Sequence, residues 1–271
     1  MTMGKAGGTT RSIDYRPLDQ PEILKAVFFP KRFWTPPPPG AGDHRVSVAG
    51  GISVSARFYR EGPKAPTVLM FHGNGEVACH YDDLASYYRR AGVNLFVADY
   101  RGYGLSDGKP SLGAMMADAR TTYRYLAALL EREGYVGGCF VKGRSLGSQP
   151  AIEVAACFQS EIRGLIIESG FGSPDRVFVR IGAIPTEEAQ AVLRMHRKKL
   201  ETLTLPLLVI HGEEDDLVPV ELAVDLYDAV VSQDKEICLV PSAGHNDLLS
   251  VAPGAYFSAF KAFIEKHRVM S

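Results

Sequence analysis

Short apolar runs recur along this sequence, and they limit the possible folds more than any other feature. The run "TVLMFHG" is followed by "NLFVADY", "GCFVKG", "GLIIESG", "LPLLVIHG" and the shorter "KEICLVP". Runs that are apolar throughout are typical of strands buried on both faces of a parallel sheet. Helical patterns, such as "SLGAMMADARTTYRYLAALLERE", lie between most of them. The alternation predicts βαβ units, with a mostly parallel central sheet and helices on both of its faces.

The chain before the first of these runs divides into two parts. Residues 1–40 are predicted to form an N-terminal extension: a glycine-rich start that we expect to be disordered, an apolar strap from Phe28 to Trp34 packed on the domain, and a stiff proline-rich linker. The alternating segment "HRVSVAGGISVSARFY" turns at Gly50 and Gly51, which predicts an antiparallel hairpin. Residues 41–271 are then long enough to form one large domain.

An interval of about 35 residues between "GLIIESG" and "LPLLVIHG" breaks the alternation. It holds a helical pattern that begins after Thr186, a residue suited to cap a helix N-terminus. Two interpretations stay open: a small lid at about 171–205 over the sheet's C-terminal edge, or an elongated crossover helix. A lid would present Phe171, Phe178 and Ile181 as candidate substrate-binding residues, unless these side chains pack the segment onto the body.

Composition and charge exclude several classes of protein. The formal net charge of -1 gives no global field that would recruit nucleic acid or an anionic membrane. The start of the chain has no apolar core of a secretory signal, and no apolar run approaches the roughly 20 residues of a membrane span. The four cysteines lack metal-binding spacing. We expect a cytoplasmic protein with a small-molecule substrate, without metal, nucleic-acid partner or stable membrane insertion.

A candidate nucleophile lies in "FVKGRSLGSQPA", where Ser145 stands between Gly143 and Gly147. A predicted strand precedes this serine and a predicted helix follows it, which is the context of a nucleophile elbow. A serine hydroxyl is a weak nucleophile until a base takes its proton. His245 follows the last predicted strand in a glycine-containing loop, so it is the predicted base.

The third member of such a site is a carboxylate that fixes the histidine tautomer. "VIHGEEDDLVP" supplies four consecutive acidic residues directly after a strand. The chain order of serine, acid and histidine favours Asp215, with Asp216 as a close rival. Glu168, at the end of an earlier strand, is a weaker candidate.

Catalysis by such a site also needs donors for the developing oxyanion. We predict that the backbone N–H of Leu146, next to the nucleophile, is one donor. The loop "HGNGE" after the strand "VLMF" supplies the other, through the backbone N–H of Asn74 or, alternatively, of Gly75.

Five segments, "FHGNGE", "ADYRGYGLSDGKPS", "GRSLGS", "IHGEEDDLVP" and "SAGHND", resemble those of α/β-hydrolases. In particular, the chain resembles the intracellular serine hydrolases that include protein depalmitoylases and lysophospholipase-like enzymes, over about residues 65–267. The resemblance implies an α/β-hydrolase fold without a cofactor. In that family the acid is the last residue of His-Gly-x-x-acid, which is Asp215 here. The depalmitoylases carry an N-terminal cysteine cluster for membrane attachment, whereas no cysteine precedes Cys79, which favours a soluble esterase role.

The expected activity is that of a serine hydrolase, which cleaves a carboxylic ester or thioester through an acyl-enzyme. A peptidase, an amidase or an acyltransferase would use the same residues with another substrate or acceptor. A non-catalytic binding protein on the same scaffold is less favoured, because a degenerate site would be free to lose any of its three members.

Overall fold

The computed structural model describes residues 13–175, 178, 182 and 184–269. The glycine-rich start and Ile181 lie outside the described residues. Within them the chain forms an eight-stranded sheet. Its strands are β1 (Ala41–Val48), β2 (Ile52–Tyr59), β3 (Thr67–Phe71), β4 (Asn94–Ala98), β5 (Cys139–Arg144), β6 (Leu165–Glu168), β7 (Leu207–Gly212) and β8 (Lys235–Val240). Their order across the sheet is β1-β2-β4-β3-β5-β6-β7-β8.

The six apolar runs of the sequence form β3 to β8, and neighbours among these six strands pair in parallel. The predicted hairpin is also present, since β1 pairs with β2 in antiparallel register. Gly50 and Gly51 between them have φ of 78° and 69°, a region that glycine adopts without steric cost. Strand β2 then pairs with β4 in the antiparallel sense, which attaches the hairpin to the parallel part.

Helices cover both faces of the sheet. They are α1 (Pro21–Val27), α2 (Ala85–Arg90), α3 (Leu112–Arg132), α4 (Ser148–Phe158), α5 (Glu187–Leu200), α6 (Val220–Ala229), α7 (Leu248–Val251) and α8 (Pro253–His267). Side chains of β3 alternate between the two faces: Leu69 packs in one core with residues of α3 and α4, and Met70 in another with residues of α2 and α8. The fold is therefore the expected three-layer α/β-hydrolase architecture.

The N-terminal extension is held to the body at different residues from those expected. Tyr15, Leu18 and Ile23 are buried in the same core as α3 and α4, and Phe28 is 6% exposed. The rest of the expected strap is on the surface, with 43% of Trp34 exposed. Because the indole N–H donates to Asp43, the ring of Trp34 stays at the surface beside β1.

Helix α5 lies in the interval between β6 and β7, for which the sequence predicts either a lid or a crossover helix. Thr186 caps this helix, because its hydroxyl accepts a hydrogen bond from the backbone N–H of Ala189. Val192 and Leu193 of α5 are buried in the same core as Phe178. The apolar side of the interval therefore packs against the body of the domain.

Candidate active site

Ser145 lies in a single helical turn between β5 and α4. Its φ of 51° is in the left-handed region, which non-glycine residues rarely adopt and which marks strained functional positions. A Cβ atom at Gly143 would lie 2.3 Å from the carbonyl oxygen of Gly147, and one at Gly147 would lie 2.0 Å from that of Phe71. Both glycines are required, because no side chain fits where strand, turn and helix meet.

The structure brings Ser145, His245 and Asp215 together. The Oγ atom of Ser145 lies 2.9 Å from Nε2 of His245, and Nδ1 of His245 lies 2.7 Å from Oδ2 of Asp215. All three residues are buried, with exposed fractions of 8%, 7% and 4% for Ser145, His245 and Asp215. They come from the ends of three different strands, β5, β8 and β7, and so meet at one edge of the sheet.

The carboxylate of Asp215 is held in place from several sides. Its Oδ1 accepts hydrogen bonds from the backbone N–H groups of Leu217 and Val218, at 3.0 and 2.7 Å. Nε2 of His211 lies 3.2 Å from Oδ2. Burial alone would raise the pKa of Asp215, but hydrogen bonds from His211, His245 and the Val218 amide hold it well below its ordinary value. The ionised carboxylate can only accept, so Nδ1 of His245 carries the proton and Nε2 is left to accept from Ser145.

The two rival acids lie in other environments. Asp216 is exposed. Glu168 is buried beneath the site, where it pairs with Lys142 and accepts a hydrogen bond of 2.6 Å from Tyr256. Burial would raise the pKa of Glu168, but the nearby charges of Lys142 and Arg144 lower it to about 2. Asp215 is the acid whose carboxylate lies within hydrogen-bonding distance of His245, with Oδ2 at 2.7 Å from Nδ1.

The candidate oxyanion donors lie on two adjoining backbone segments. Leu146 is buried in the turn that holds Ser145. Asn74 lies in the loop after β3. The turn and that loop adjoin, because the Cα of Gly147 faces the carbonyl oxygens of Phe71 and His72.

The side chain of Asn74 ties its loop to the N-terminal extension. Its Nδ2 donates to the carbonyl oxygen of Val27 at 2.6 Å. Its Oδ1 accepts from the backbone N–H of Phe29 at 3.0 Å and from the hydroxyl of Tyr103 at 2.6 Å. The sequence assigns no role to this side chain, because its partners lie between 29 and 47 positions away along the chain.

Of the candidate substrate-binding residues, Phe171 and Phe178 are buried, and Ile181 lies outside the described residues. Phe171 borders a cavity of about 300 Å³ between the start of the interval, α5 and α6. Among the described residues that line this cavity, none belongs to the Ser145–His245–Asp215 group. The carbonyl oxygen of Phe171 accepts a hydrogen bond from the hydroxyl of Ser148, at 3.1 Å, so this border of the cavity lies close to the start of α4.

Sequence reasoning also gave no role to Arg144, which donates to the backbone of His245. The available signal was a charged residue between Gly143 and Ser145, at the end of a strand that is otherwise almost wholly apolar.

In the parts of the chain that the structure describes, we find no helix with the length and apolarity needed to cross a membrane.

The parallel sheet, the strained serine between strand and helix, and the acid and histidine that follow it in chain order define an α/β-hydrolase. Comparison with known proteins narrows this class. The Hydrolase_4 family model, described as "Serine aminopeptidase, S33", matches residues 62–198 and 186–249, which together exceed half of the chain. The chain therefore belongs to this family of the α/β-hydrolase superfamily.

Individual proteins agree with this assignment. The human alpha/beta hydrolase domain-containing protein 17B is 30% identical over 227 residues, which cover 81% of this chain and 73% of that protein. Protein bem46 of Schizosaccharomyces pombe is 30% identical over 217 residues, covering 77% and 71%. The Pyrococcus furiosus esterase Pf2001 has a similar fold, with a TM-score of 0.71 at 20% identity over 88% of this chain and 98% of that one. The predicted superfamily and fold are confirmed, and membership supports a hydrolase activity.

Proposed function

We propose that the protein is a serine hydrolase that cleaves a carboxylic ester or thioester through an acyl-enzyme intermediate. The observation that carries this proposal is the hydrogen-bonded row of Ser145, His245 and Asp215, with contacts of 2.9 and 2.7 Å. A row of this geometry performs one chemistry well, because it couples a nucleophile to a base whose tautomer is fixed.

In the proposed mechanism, Oγ of Ser145 attacks the substrate carbonyl carbon while Nε2 of His245 takes its proton. The carboxylate of Asp215 stabilises the resulting imidazolium. Backbone N–H groups of Leu146 and Asn74 donate to the oxyanion of the tetrahedral intermediate. His245 then gives the proton to the departing alcohol or thiol. A water molecule then attacks the acyl-enzyme while Nε2 of His245 takes its proton. His245 finally gives this proton to Oγ of Ser145, which leaves as the acid product is released.

A second candidate is a serine peptidase or amidase, which the family's description as a serine aminopeptidase favours. An acyltransferase would form the same acyl-enzyme but pass it to an acceptor other than water. A panel of small esters, thioesters and aminoacyl amides separates these activities by their relative kcat/KM.

We propose small-molecule substrates and a cytoplasmic location on the sequence grounds given above.

The proposal is tested with a fluorophosphonate, which reacts with activated serines. We expect a single label, on Ser145. Replacing Ser145→Ala should abolish labelling and lower kcat by on the order of 10⁴- to 10⁶-fold. Ser148→Ala is the matched control, because Ser148 is a buried serine three positions later whose hydroxyl donates to a backbone carbonyl; it should keep the label. Labelling that survives in Ser145→Ala would overturn the proposal.

A further inference from the structure

Arg144 connects the nucleophile's strand to the loop of the candidate base. Its side chain is 12% exposed. Nη2 donates to the backbone carbonyl oxygen of His245 at 3.1 Å and to Oδ1 of Asn246 at 2.8 Å. Nη1 pairs with Glu76, and Nε lies 3.2 Å from Oε1 of Glu168. One guanidinium therefore contacts four groups, two of which belong to the loop that carries the base.

The carboxylates of Glu76 and Glu168 have further hydrogen-bond partners, which fix them and so fix the guanidinium of Arg144 independently of the loop. Glu76 accepts from the backbone N–H of Gly73 at 3.0 Å and from the hydroxyl of Tyr81 at 2.8 Å. Glu168 accepts from the hydroxyl of Tyr256 at 2.6 Å. A planar fork held by two anchored carboxylates has its remaining N–H groups aimed in one direction. For Arg144 that direction is the His245 loop.

On the same side, the loop borders an open space. A cavity of about 200 Å³ lies there, lined by Arg144, His245 and Asn246 together with Tyr88 of α2, side chains of the segment before α2, and two leucines of α7 at the end of the loop. Where apolar contacts are missing, the position of the loop depends on its hydrogen bonds. The two donated by Arg144 are the ones that reach it from the nucleophile's own strand.

We propose that Arg144 is a positioning residue, which holds the backbone of His245 so that the imidazole stays aligned with Ser145. The inference rests on the proposed function. Its physical basis is that a misplacement of about 1 Å in a reacting group can cost about 10²-fold in rate. Arg144 is the chain neighbour of Ser145, so the nucleophile and the loop of the base are both anchored at the end of β5.

The first experiment compares Arg144→Met and Arg144→Lys with the wild type, using rates normalised to fluorophosphonate-reactive sites. We expect Arg144→Met to lower kcat by about 10- to 100-fold, with KM changed by less than about threefold, because alignment and not binding is lost. Arg144→Lys keeps the charge facing both carboxylates but cannot reach four groups at once. The kcat of Arg144→Lys should lie between those of the wild type and Arg144→Met. This variant provides the comparison should Arg144→Met fold poorly.

Arg57→Met is the matched control. Arg57 is also a buried arginine, with 1% of its side chain exposed, that bridges two carboxylates, Asp43 and Asp82. Its loss should lower Tm while leaving kcat per reactive site unchanged. An unchanged kcat in Arg144→Met, with normal labelling of the wild type, would overturn the inference alone. A wild type that is not labelled at Ser145 would overturn the proposed function and the inference with it.

A double-mutant cycle separates positioning from a general structural effect. In a His245→Ala background there is no imidazole to align, so Arg144→Met should change the residual hydrolysis of p-nitrophenyl acetate by less than about twofold. The same 10- to 100-fold loss in both backgrounds would show that Arg144 acts independently of His245, and the inference would then be wrong.

Discussion

Asp215 and Asp216 are neighbours in the chain, yet their side chains lie in opposite environments. Asp215 is 4% exposed and its Oδ2 receives the hydrogen bond of His245. Asp216 is exposed. The backbone N–H groups of Leu217 and Val218 explain the difference, because they bind Oδ1 of Asp215 and direct its other oxygen toward the imidazole.

This arrangement predicts unequal effects of two equal changes. In Asp215→Asn, the amide oxygen should stay with the two backbone donors, so the NH₂ group faces Nδ1 of His245. The imidazole must then carry its proton on Nε2, where it cannot accept one from Ser145. We expect kcat to fall by on the order of 10³- to 10⁴-fold. Asp216→Asn should change kcat by less than about threefold, as surface substitutions usually do.

The measurement is kcat per fluorophosphonate-reactive site for both variants, with circular dichroism to show that each is folded. A larger loss for Asp216→Asn than for Asp215→Asn would exchange the roles assigned to the two acids.

Local motifs explain how far the site could be predicted from the sequence. Ser145, Asp215 and His245 each follow a recognisable strand, so strand order alone brought them to one edge of the sheet. Arg144 also ends a recognisable strand, but its role is not visible there, because its partners Glu76 and Glu168 come from other parts of the chain and only the folded chain places them around it. A long-range contact between charged residues leaves no local pattern in a single sequence.

Helix α5 carries a buried histidine that joins it to the body of the domain. Nε2 of His196 donates to the carbonyl oxygen of Gly172 at 3.0 Å. Its Nδ1 must then accept from the hydroxyl of Tyr15, at 2.8 Å. Burial, followed by the charge of Lys199, lowers the pKa of His196 to about 3. The N-terminal extension and α5 are therefore connected through an imidazole that is neutral in the folded protein.

This shift predicts a dependence of stability on pH. Between about pH 6.5 and pH 3 the unfolded chain binds a proton at His196 that the folded chain does not, so the free energy of unfolding should decrease as the pH falls through this window. A variant that cannot take up this proton, His196→Phe, should show a smaller decrease over the same range.

Urea unfolding of both proteins from pH 8 to pH 4 provides the measurement. The value at pH 8 serves as each protein's own reference, which removes the cost of the lost hydrogen bonds. Carboxylates titrate in both proteins, so only the difference between the two curves reports on His196. Parallel curves would contradict the prediction.

At this scale the sequence predicted strands better than the N-terminal elements. Strands β3 to β8 are mostly apolar, and Thr186 marks the start of α5, so both are visible locally. The sequence does not predict helix α1. It does not predict the burial of Tyr15 either, because the groups that its hydroxyl contacts, Glu153 and His196, lie on α4 and α5. An aromatic residue in an irregular segment gives no sign of which distant side chains will surround it.

At the scale of the whole molecule, the interval after β6 and the cavity beside it bear on the size of acyl group that the proposed hydrolase would accept. The interval after β6 is about 35 residues long, and its described buried residues, among them Phe178, Val192 and Leu193, pack on the body of the domain. The cavity beside Phe171 has about 300 Å³. Small-molecule sites generally range from about 300 to 1,000 Å³. On the proposal that this cavity, whose described lining does not include Ser145, His245 or Asp215, receives the acyl chain, a volume at the lower end of that range favours short-to-medium chains.

We therefore predict a preference for short-to-medium acyl esters, without activation at a lipid interface. Each CH₂ buried in the acyl site contributes about 0.8 kcal/mol, which is about fourfold in kcat/KM, until the space is full. A series of p-nitrophenyl esters from acetate to palmitate measures this directly, with Ser145→Ala as the blank. The value should rise through the short chains and then level off or fall. A sharp optimum at palmitate, or a jump in rate above the micellar concentration of the substrate, would instead indicate a lipase-type site, in which the segment around α5 opens onto a lipid surface.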